Sequence, residues 1–168
     1  MNRQQFLSLG AGAALALGLP LKLAGSVRPG PEAPLDPALV HQFVGAAHRD
    51  LDTVQALLTD HPTLLNAAHD WGGGDFETAL GAASHVGQFA IADYLIAAGA
   101  QTNVFTACLY GQLDIVRGLL DVFPATLQAK GPHGFTLLHH AIRGGERAAA
   151  VRAYLESLGA SATKVPLF

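Results

Sequence analysis

The chain is 168 residues long, half of its residues are hydrophobic, and its formal net charge is −3. This length and apolar content are ample for one domain with its own core. The acidic balance, 10 basic against 13 acidic residues, disfavours nucleic-acid binding, because that function normally needs a clustered basic face. The single cysteine, Cys108, excludes an internal disulfide, so packing alone must hold the fold together.

The N-terminus has the layout of an export signal, which we place at residues 1–24. Arg3 precedes an uncharged run rich in Leu, Ala and Gly that ends before Lys22. Ala24 is a small residue suited to a cleavage site, but Lys22 lies where a second small residue is preferred. Cleavage and retention as an inner-membrane anchor therefore both stay open. Without residues 1–24 the chain carries 8 basic and 13 acidic residues, a formal charge of −5.

The start of this segment, Arg-Gln-Gln-Phe-Leu at residues 3–7, resembles the twin-arginine export motif of bacteria, with Gln4 in place of the second arginine. The resemblance implies a periplasmic or secreted protein. A single arginine leaves the twin-arginine and general secretory routes as alternatives.

A proline-rich linker is predicted at residues 25–35. Four prolines and a glycine fall within residues 28–37, a composition that stays extended. The globular part is expected to begin at Asp36 and Pro37, an acceptor side chain before a proline at the first helical position.

The rest of the chain, residues 36–162, reads as four repeats. Each has a short inner helix and a longer outer helix with one apolar stripe, as at Leu51, Val54 and Leu58. The repeats span about 36–74, 75–103, 102–131 and 135–162. Residues 51–67 align without gaps on 113–129, so the first and third repeats are sisters.

The fourth repeat resembles the ankyrin signature Thr-Pro-Leu-His-x-Ala-Ala-x-x-Gly. Its matching residues are Thr136, Leu138, His139, Ala141 and Gly145, with leucine in place of the family proline. A second copy, Thr-Ala-Leu-Gly-Ala-Ala, begins at residue 78. The resemblance implies an all-α solenoid of four helix-turn-helix repeats with hairpin fingers, and a non-catalytic scaffold or adaptor that binds a protein through its fingers and concave inner face.

The glycine spacing predicts one missing finger. Gly87 and Gly111 are 24 residues apart, whereas Gly111 and Gly145 are 34 apart, close to the family period of about 33. Roughly nine residues are absent before the third inner helix. We therefore expect two fingers, the first finger at Asn66–Glu77 and the second finger at Gln128–Phe135.

The first finger carries the strongest functional signal. Trp71, the only tryptophan, lies among glycines and acids, and aromatic residues on held loops are typical binding anchors. The alternative is that Trp71 folds over the second finger, onto Pro132 and Phe135. The predicted partner-binding residues are Asp70, Trp71, Asp75, Arg49, His85, Tyr110, Lys130, His133 and Arg143.

The eight histidines invite a metal-binding hypothesis that their spacing does not support. Adjacent helical residues such as His139 and His140 point about 100 degrees apart, and the ankyrin resemblance gives His139 a structural hydrogen-bonding role. We assign no catalytic residue, metal ligand or cofactor, and predict that the chain is not an enzyme. The alternative function is a metal- or small-molecule-binding stress protein that uses the groove histidines His48, His85 and His140.

Cys108 replaces a small buried residue of the signature and is predicted to be a core thiol. The apolar tail, residues 163–168, is expected to cover the end of the stack, with docking into another protein as the alternative. The expected partner is another protein, bound by a monomer, with membrane contact only through an uncleaved leader.

Overall fold

The structure is a computed structural model that describes residues 33–168, and within that range the chain is mostly α-helical, as predicted. The predicted signal and most of the linker lie outside the described residues. The helices are α1 (Pro37–Ala46), α2 (Leu51–Asp60), α3 (Ala79–Val86), α4 (Phe89–Ala97), α5 (Val104–Leu109), α6 (Leu113–Val122), α7 (Leu137–Arg143) and α8 (Ala149–Ser157). A hairpin of β1 (Ala68–Asp70) and β2 (Phe76–Thr78) precedes α3.

Five of the eight α-helices in the described residues start at a capping side chain. Asp36 accepts a hydrogen bond from the Ala38 N–H at 2.9 Å, and Pro37 takes the first helical position of α1. Thr78 and Thr136 cap α3 and α7 in the same manner. The predicted helix starts at Asp36 and Thr136 are thus confirmed.

The turns between paired helices need a left-handed backbone. Gly87, Gly111 and Gly145 have φ values of 77°, 69° and 60°, which L-residues with a Cβ rarely adopt. At Gly111 a Cβ would also lie 2.0 Å from the Arg147 carbonyl oxygen. The predicted role of these glycines is confirmed.

The helices pack in two layers around two apolar cores. Helices α1, α3, α5 and α7 contact one another in succession, whereas α2 contacts α4 and α6 contacts α8. The first core lies between the first four helices and includes Phe43, Val54 and Leu95. The second includes Val116 and Leu155, together with Cys108, which is fully buried as predicted.

The two halves meet at the shortened connection that the glycine spacing predicts. Helix α4 ends at Ala97 and α5 begins at Val104, with no strand between them. Asn103 caps α5 by accepting hydrogen bonds from the N–H groups of Phe105 and Thr106. Helices α4 and α6 make little contact with each other, so an apolar groove remains between them.

The two predicted fingers are present and differ in form. The first finger is an antiparallel hairpin in which His69 pairs with Glu77, and its tip is Gly72–Gly74. The second finger contains a short 3-10 turn at Pro132–Gly134. Because no finger stands between them, the two touch: the His133 N–H donates to the Asp75 carboxylate at 2.8 Å.

The C-terminal tail begins at the fourth helix pair and then crosses the second finger. The Thr136 N–H donates to the Thr163 carbonyl, and the Val165 N–H donates to the Gly134 carbonyl at 2.9 Å. These hydrogen bonds attach the tail to the second finger, and the last residue of the tail, Phe168, is 87% exposed. Residues 34–168 form one compact unit. Among the residues that the structure describes, no helix is both long and apolar enough to cross a membrane.

Candidate metal site

Four side chains from distant parts of the chain converge where the two fingers meet the inner helices. They belong to His48, Glu77, His85 and His133, and one ligand atom of each lies within 4.8 Å of the others. Glu77 and His85 are buried, while His48 and His133 are partly exposed. Spacing along the sequence does not predict this convergence.

Each member is brought in by a different element. His48 follows the end of α1, Glu77 lies in β2, His85 is in the last turn of α3, and His133 sits at the second finger. Strand alternation turns Glu77 inward, where it is 1% exposed, and leaves the neighbouring Phe76 61% exposed. Proteins usually bury apolar side chains and expose charged ones, and this strand does the opposite. Hydrophobic packing therefore does not explain why Glu77 is buried.

The ring orientations of two histidines are set by hydrogen bonds on the side away from Glu77. The Nδ1 of His48 lies 3.1 Å from the Val44 carbonyl oxygen, and the Nδ1 of His133 lies 2.6 Å from Asp75 Oδ2. In a neutral imidazole both contacts require the proton on Nδ1. The Nε2 atoms of His48 and His133 then carry lone pairs that face the carboxylate.

The carboxylate of Glu77 therefore faces acceptors rather than donors. Its Oε2 lies 3.5 Å from His48 Nε2 and 3.4 Å from His133 Nε2, beyond hydrogen-bond distance. Its Oε1 lies 2.8 Å from His85 Nδ1, yet the pair is not aligned for a hydrogen bond and both buried atoms are left without a partner. Unpaired buried polar atoms are costly, and a cation among the four side chains would satisfy all of them.

Trp71 closes one side of this cluster. Its Nε1–H donates to Glu77 Oε2 at 2.8 Å, and its ring lies edge-on to His41, His48 and His69. The side chain is 37% exposed, so it is neither a free anchor nor a core residue. Its ring also lies 5.9 Å from that of His133, so Trp71 does fold toward the second finger, where its aromatic contact is with His133 rather than with Phe135.

Asp75 links the two fingers and positions His133. It accepts hydrogen bonds from both the N–H and the ring of His133. Burial by itself would raise the pKa of Asp75, but these hydrogen bonds outweigh burial and hold its pKa below the usual range. His133 has a φ of 59°, a left-handed conformation that side chains avoid unless surrounding contacts impose it.

The predicted partner-binding residues divide into two groups. Trp71, Asp75, His85 and His133 meet at the metal-like cluster. The others lie apart from it and make local contacts. The Asp70 carboxylate accepts hydrogen bonds from two N–H groups of the hairpin tip, and Arg49 is exposed. The Tyr110 hydroxyl donates to Asp93, and Lys130 donates to the Leu167 carbonyl. Arg143 donates to the carbonyls of His85 and Val86.

His140 does not belong to the cluster, contrary to its grouping with His48 and His85. Its Nδ1 bonds the Thr136 carbonyl oxygen at 2.8 Å, and its ring packs against Phe105. Burial lowers its pKa to about 4. His139 does form a structural hydrogen bond, from Nε2 to the His85 carbonyl oxygen at 2.8 Å, which joins α7 to α3.

Sequence reasoning missed Glu77 as a site residue. The signal available was the Asp-x-Glu pair at residues 75 and 77, in which Asp75 directly precedes β2 and Glu77 lies within it, just before the helix cap Thr78. His41 and His69 were also missed, because their approach to Trp71 depends on the packing of α1 against the hairpin.

Comparison with models of protein families gives no match, and comparison with curated proteins finds no significant similarity.

Proposed function

We propose that this chain is an ankyrin-like helical repeat protein that binds one divalent first-row transition-metal ion through His48, Glu77, His85 and His133. The observation that carries the proposal is the orientation of the two outer histidines. Their Nδ1 atoms are occupied by the Val44 carbonyl and the Asp75 carboxylate, so in the neutral imidazoles the lone pairs on Nε2 point at another acceptor.

Two of the distances match the spacing of ligands around a shared ion, whereas the third, 2.8 Å between Glu77 Oε1 and His85 Nδ1, is shorter than that spacing. Two ligand atoms about 2.1 Å from one tetrahedral ion lie about 3.4 Å apart. The Glu77 Oε2 to His48 and His133 distances, 3.5 and 3.4 Å, are close to that value. The contacts to Val44 and Asp75 correspond to the outer-layer hydrogen bonds that orient metal-bound histidines.

The ligand types favour a particular range of ions. Three imidazoles and one carboxylate suit Zn²⁺, Fe²⁺, Co²⁺, Ni²⁺ or Cu²⁺, whereas Ca²⁺ and Mg²⁺ prefer all-oxygen sites. The binding is not a consequence of repeat architecture alone, since Glu77 and His133 come from the two fingers, His48 from the turn after α1, and only His85 from an inner helix. The finger that is missing between the first and second fingers supports the proposed site. Its absence lets Asp75 of the first finger reach His133 of the second.

The test is metal binding by the purified full chain at neutral pH. We expect the chain, once stripped with chelator, to take up one equivalent of Zn²⁺ or Co²⁺ and not Mg²⁺, by calorimetry and elemental analysis. His133→Gln should bind at least tenfold more weakly, and His61→Gln, an exposed histidine outside the cluster, should bind as the wild type. Equal affinity in both variants would refute the site.

A second candidate function is the protein-binding scaffold that the ankyrin resemblance implies, in the periplasm or outside the cell. The observation in its favour is the groove between α4 and α6, about 610 Å³ in volume, on whose rim Ile115, Val122 and Phe123 are about 60% exposed or more. We expect a protein partner with an apolar helical face. Ile115→Asp should then abolish its capture by the full chain, while Trp71→Ala should not, and the reverse result would move the interface to the first finger.

A further inference from the structure

We infer that the metal ion, held by four protein ligands, expands its coordination to take a fifth ligand on the Trp71 side, an open position where a small anion binds it directly. The inference rests on the proposed metal-binding function and extends it from holding an ion to presenting that ion to a ligand. Trp71 is the movable cover of this position.

The two ligands on the α3 side of the cluster are buried, and the two on the opposite side are partly exposed. The side chains of Glu77 and His85 are 0% and 6% exposed, whereas those of His48 and His133 are 24% and 26% exposed. An ion held by all four is therefore sealed on the α3 side and reachable from solvent between the two outer histidines.

Trp71 lies across this opening. Its ring centroid is 6.1 Å from that of His48 and 5.9 Å from that of His133, and its single polar anchor to the cluster is the hydrogen bond to Glu77. An anion from solvent must pass the Trp71 indole to reach the metal ion. Only an anion of a few atoms can do so.

The attachment of Trp71 permits movement. It is followed by Gly72, Gly73 and Gly74, whose φ values are 122°, 66° and 87°. Such a turn can change shape without a steric penalty from side chains. The Asp70 carboxylate accepts the N–H groups of Gly72 and Gly74, so the resting position is defined.

Charge favours an anion over a neutral ligand. A divalent ion and the Glu77 carboxylate leave a net charge of +1 at the metal, since the other three ligands are neutral imidazoles. The Asp75 carboxylate lies behind His133, where it is hydrogen-bonded twice and offset by Lys164. His41 and His69 flank Trp71, with ring centroids 5.3 and 4.6 Å from that of the indole, and their N–H groups can donate to an anion beside it.

The test uses the full chain loaded with one equivalent of Co²⁺ and titrated with azide. An open position predicts that azide shifts the visible d–d absorption bands of the Co²⁺, because the anion enters the coordination sphere. In stopped-flow measurements Trp71→Ala should bind azide faster than the wild type. The control is Phe76→Ala. It removes an exposed ring that belongs to the same hairpin but faces away from the cluster, so the rate of azide binding should be unchanged.

The other outcomes separate the two proposals. Stoichiometric Co²⁺ binding with no azide-dependent shift in either the wild type or Trp71→Ala would overturn the open position and leave a closed structural site. An azide shift with equal rates in all three proteins would overturn the role of Trp71 as a cover. Failure to bind Co²⁺ at all would overturn the metal-binding function and this inference together.

Discussion

Replacement of the buried carboxylate, Glu77→Gln, separates a metal site from a structural ion-pair cluster. The amide keeps the size of the side chain and an oxygen for the Trp71 N–H, but it removes the negative charge that an ion needs. In the metal-free protein the change removes an unpaired buried charge, so the free energy of unfolding should not fall.

The effect appears when metal is added. A ligand at 100 times its dissociation constant stabilises the native state by about 2.7 kcal/mol. For the domain at residues 33–168, that corresponds to a rise in melting temperature of about 10 °C. If the substitution weakens binding by at least about 100-fold, the same free Zn²⁺ stabilises the variant by only about 0.4 kcal/mol, or about 2 °C.

The assay is thermal unfolding of the full chain in chelator-buffered Zn²⁺, followed by circular dichroism. Glu146→Gln, an exposed glutamate outside the cluster, is the matched control and should keep the full shift. A Zn²⁺-dependent shift of the same size in Glu77→Gln, or no shift in the wild type, would refute the reasoning.

Three further predictions follow from contacts around the site. Asp75→Asn removes the carboxylate that orients His133 and should weaken Zn²⁺ binding by about 10- to 100-fold in a chelator competition titration. His140 titrates near 6.5 when unfolded and near 4 when folded, so only the unfolded state takes up its proton between these pH values and stability falls as pH is lowered through them. The loss should approach about 3 kcal/mol by urea unfolding at pH 4, and His140→Asn, which keeps a donor for the Thr136 carbonyl, should abolish that part of the slope. Gly134→Ala should weaken Zn²⁺ binding by at least about tenfold in the same competition titration, because its Cβ would lie 1.9 Å from the Val165 carbonyl oxygen and displace the second finger.

Each has a result that would contradict it. Unchanged affinity in Asp75→Asn would mean that the second finger holds His133 without its help. An identical pH slope in His140→Asn would assign the slope to other groups. Wild-type Zn²⁺ affinity in Gly134→Ala would show that the tail and the site are independent.

The helical part of this fold could be read along the chain because its signals are local. Asp36 and Thr136 precede their helices by one residue, and Gly87, Gly111 and Gly145 follow theirs within two residues. Even the missing finger was visible as a short glycine interval. Capping and turn formation act over a few residues, so a pattern in the sequence suffices to predict them.

The candidate site lacked such local signals. His48 and His133 are separated by the whole first hairpin and five α-helices, and no spacing rule connects them. His139 and His140, the most conspicuous histidine pair, point to different neighbours and take no part. Histidine-rich composition alone therefore could not distinguish core, surface and ligand histidines.

The sequence by itself determined a helical array with two fingers, one finger missing, a core cysteine and a capped start at Asp36. Only the tertiary structure decided that the fingers touch, that Glu77 points inward and that three histidines surround it. The physical reason is that secondary structure depends on neighbours in sequence, whereas the cluster around Glu77 depends on which segments of the chain meet in space. That meeting is set by packing of the inner helices and by the hydrogen bonds between Asp75 and His133.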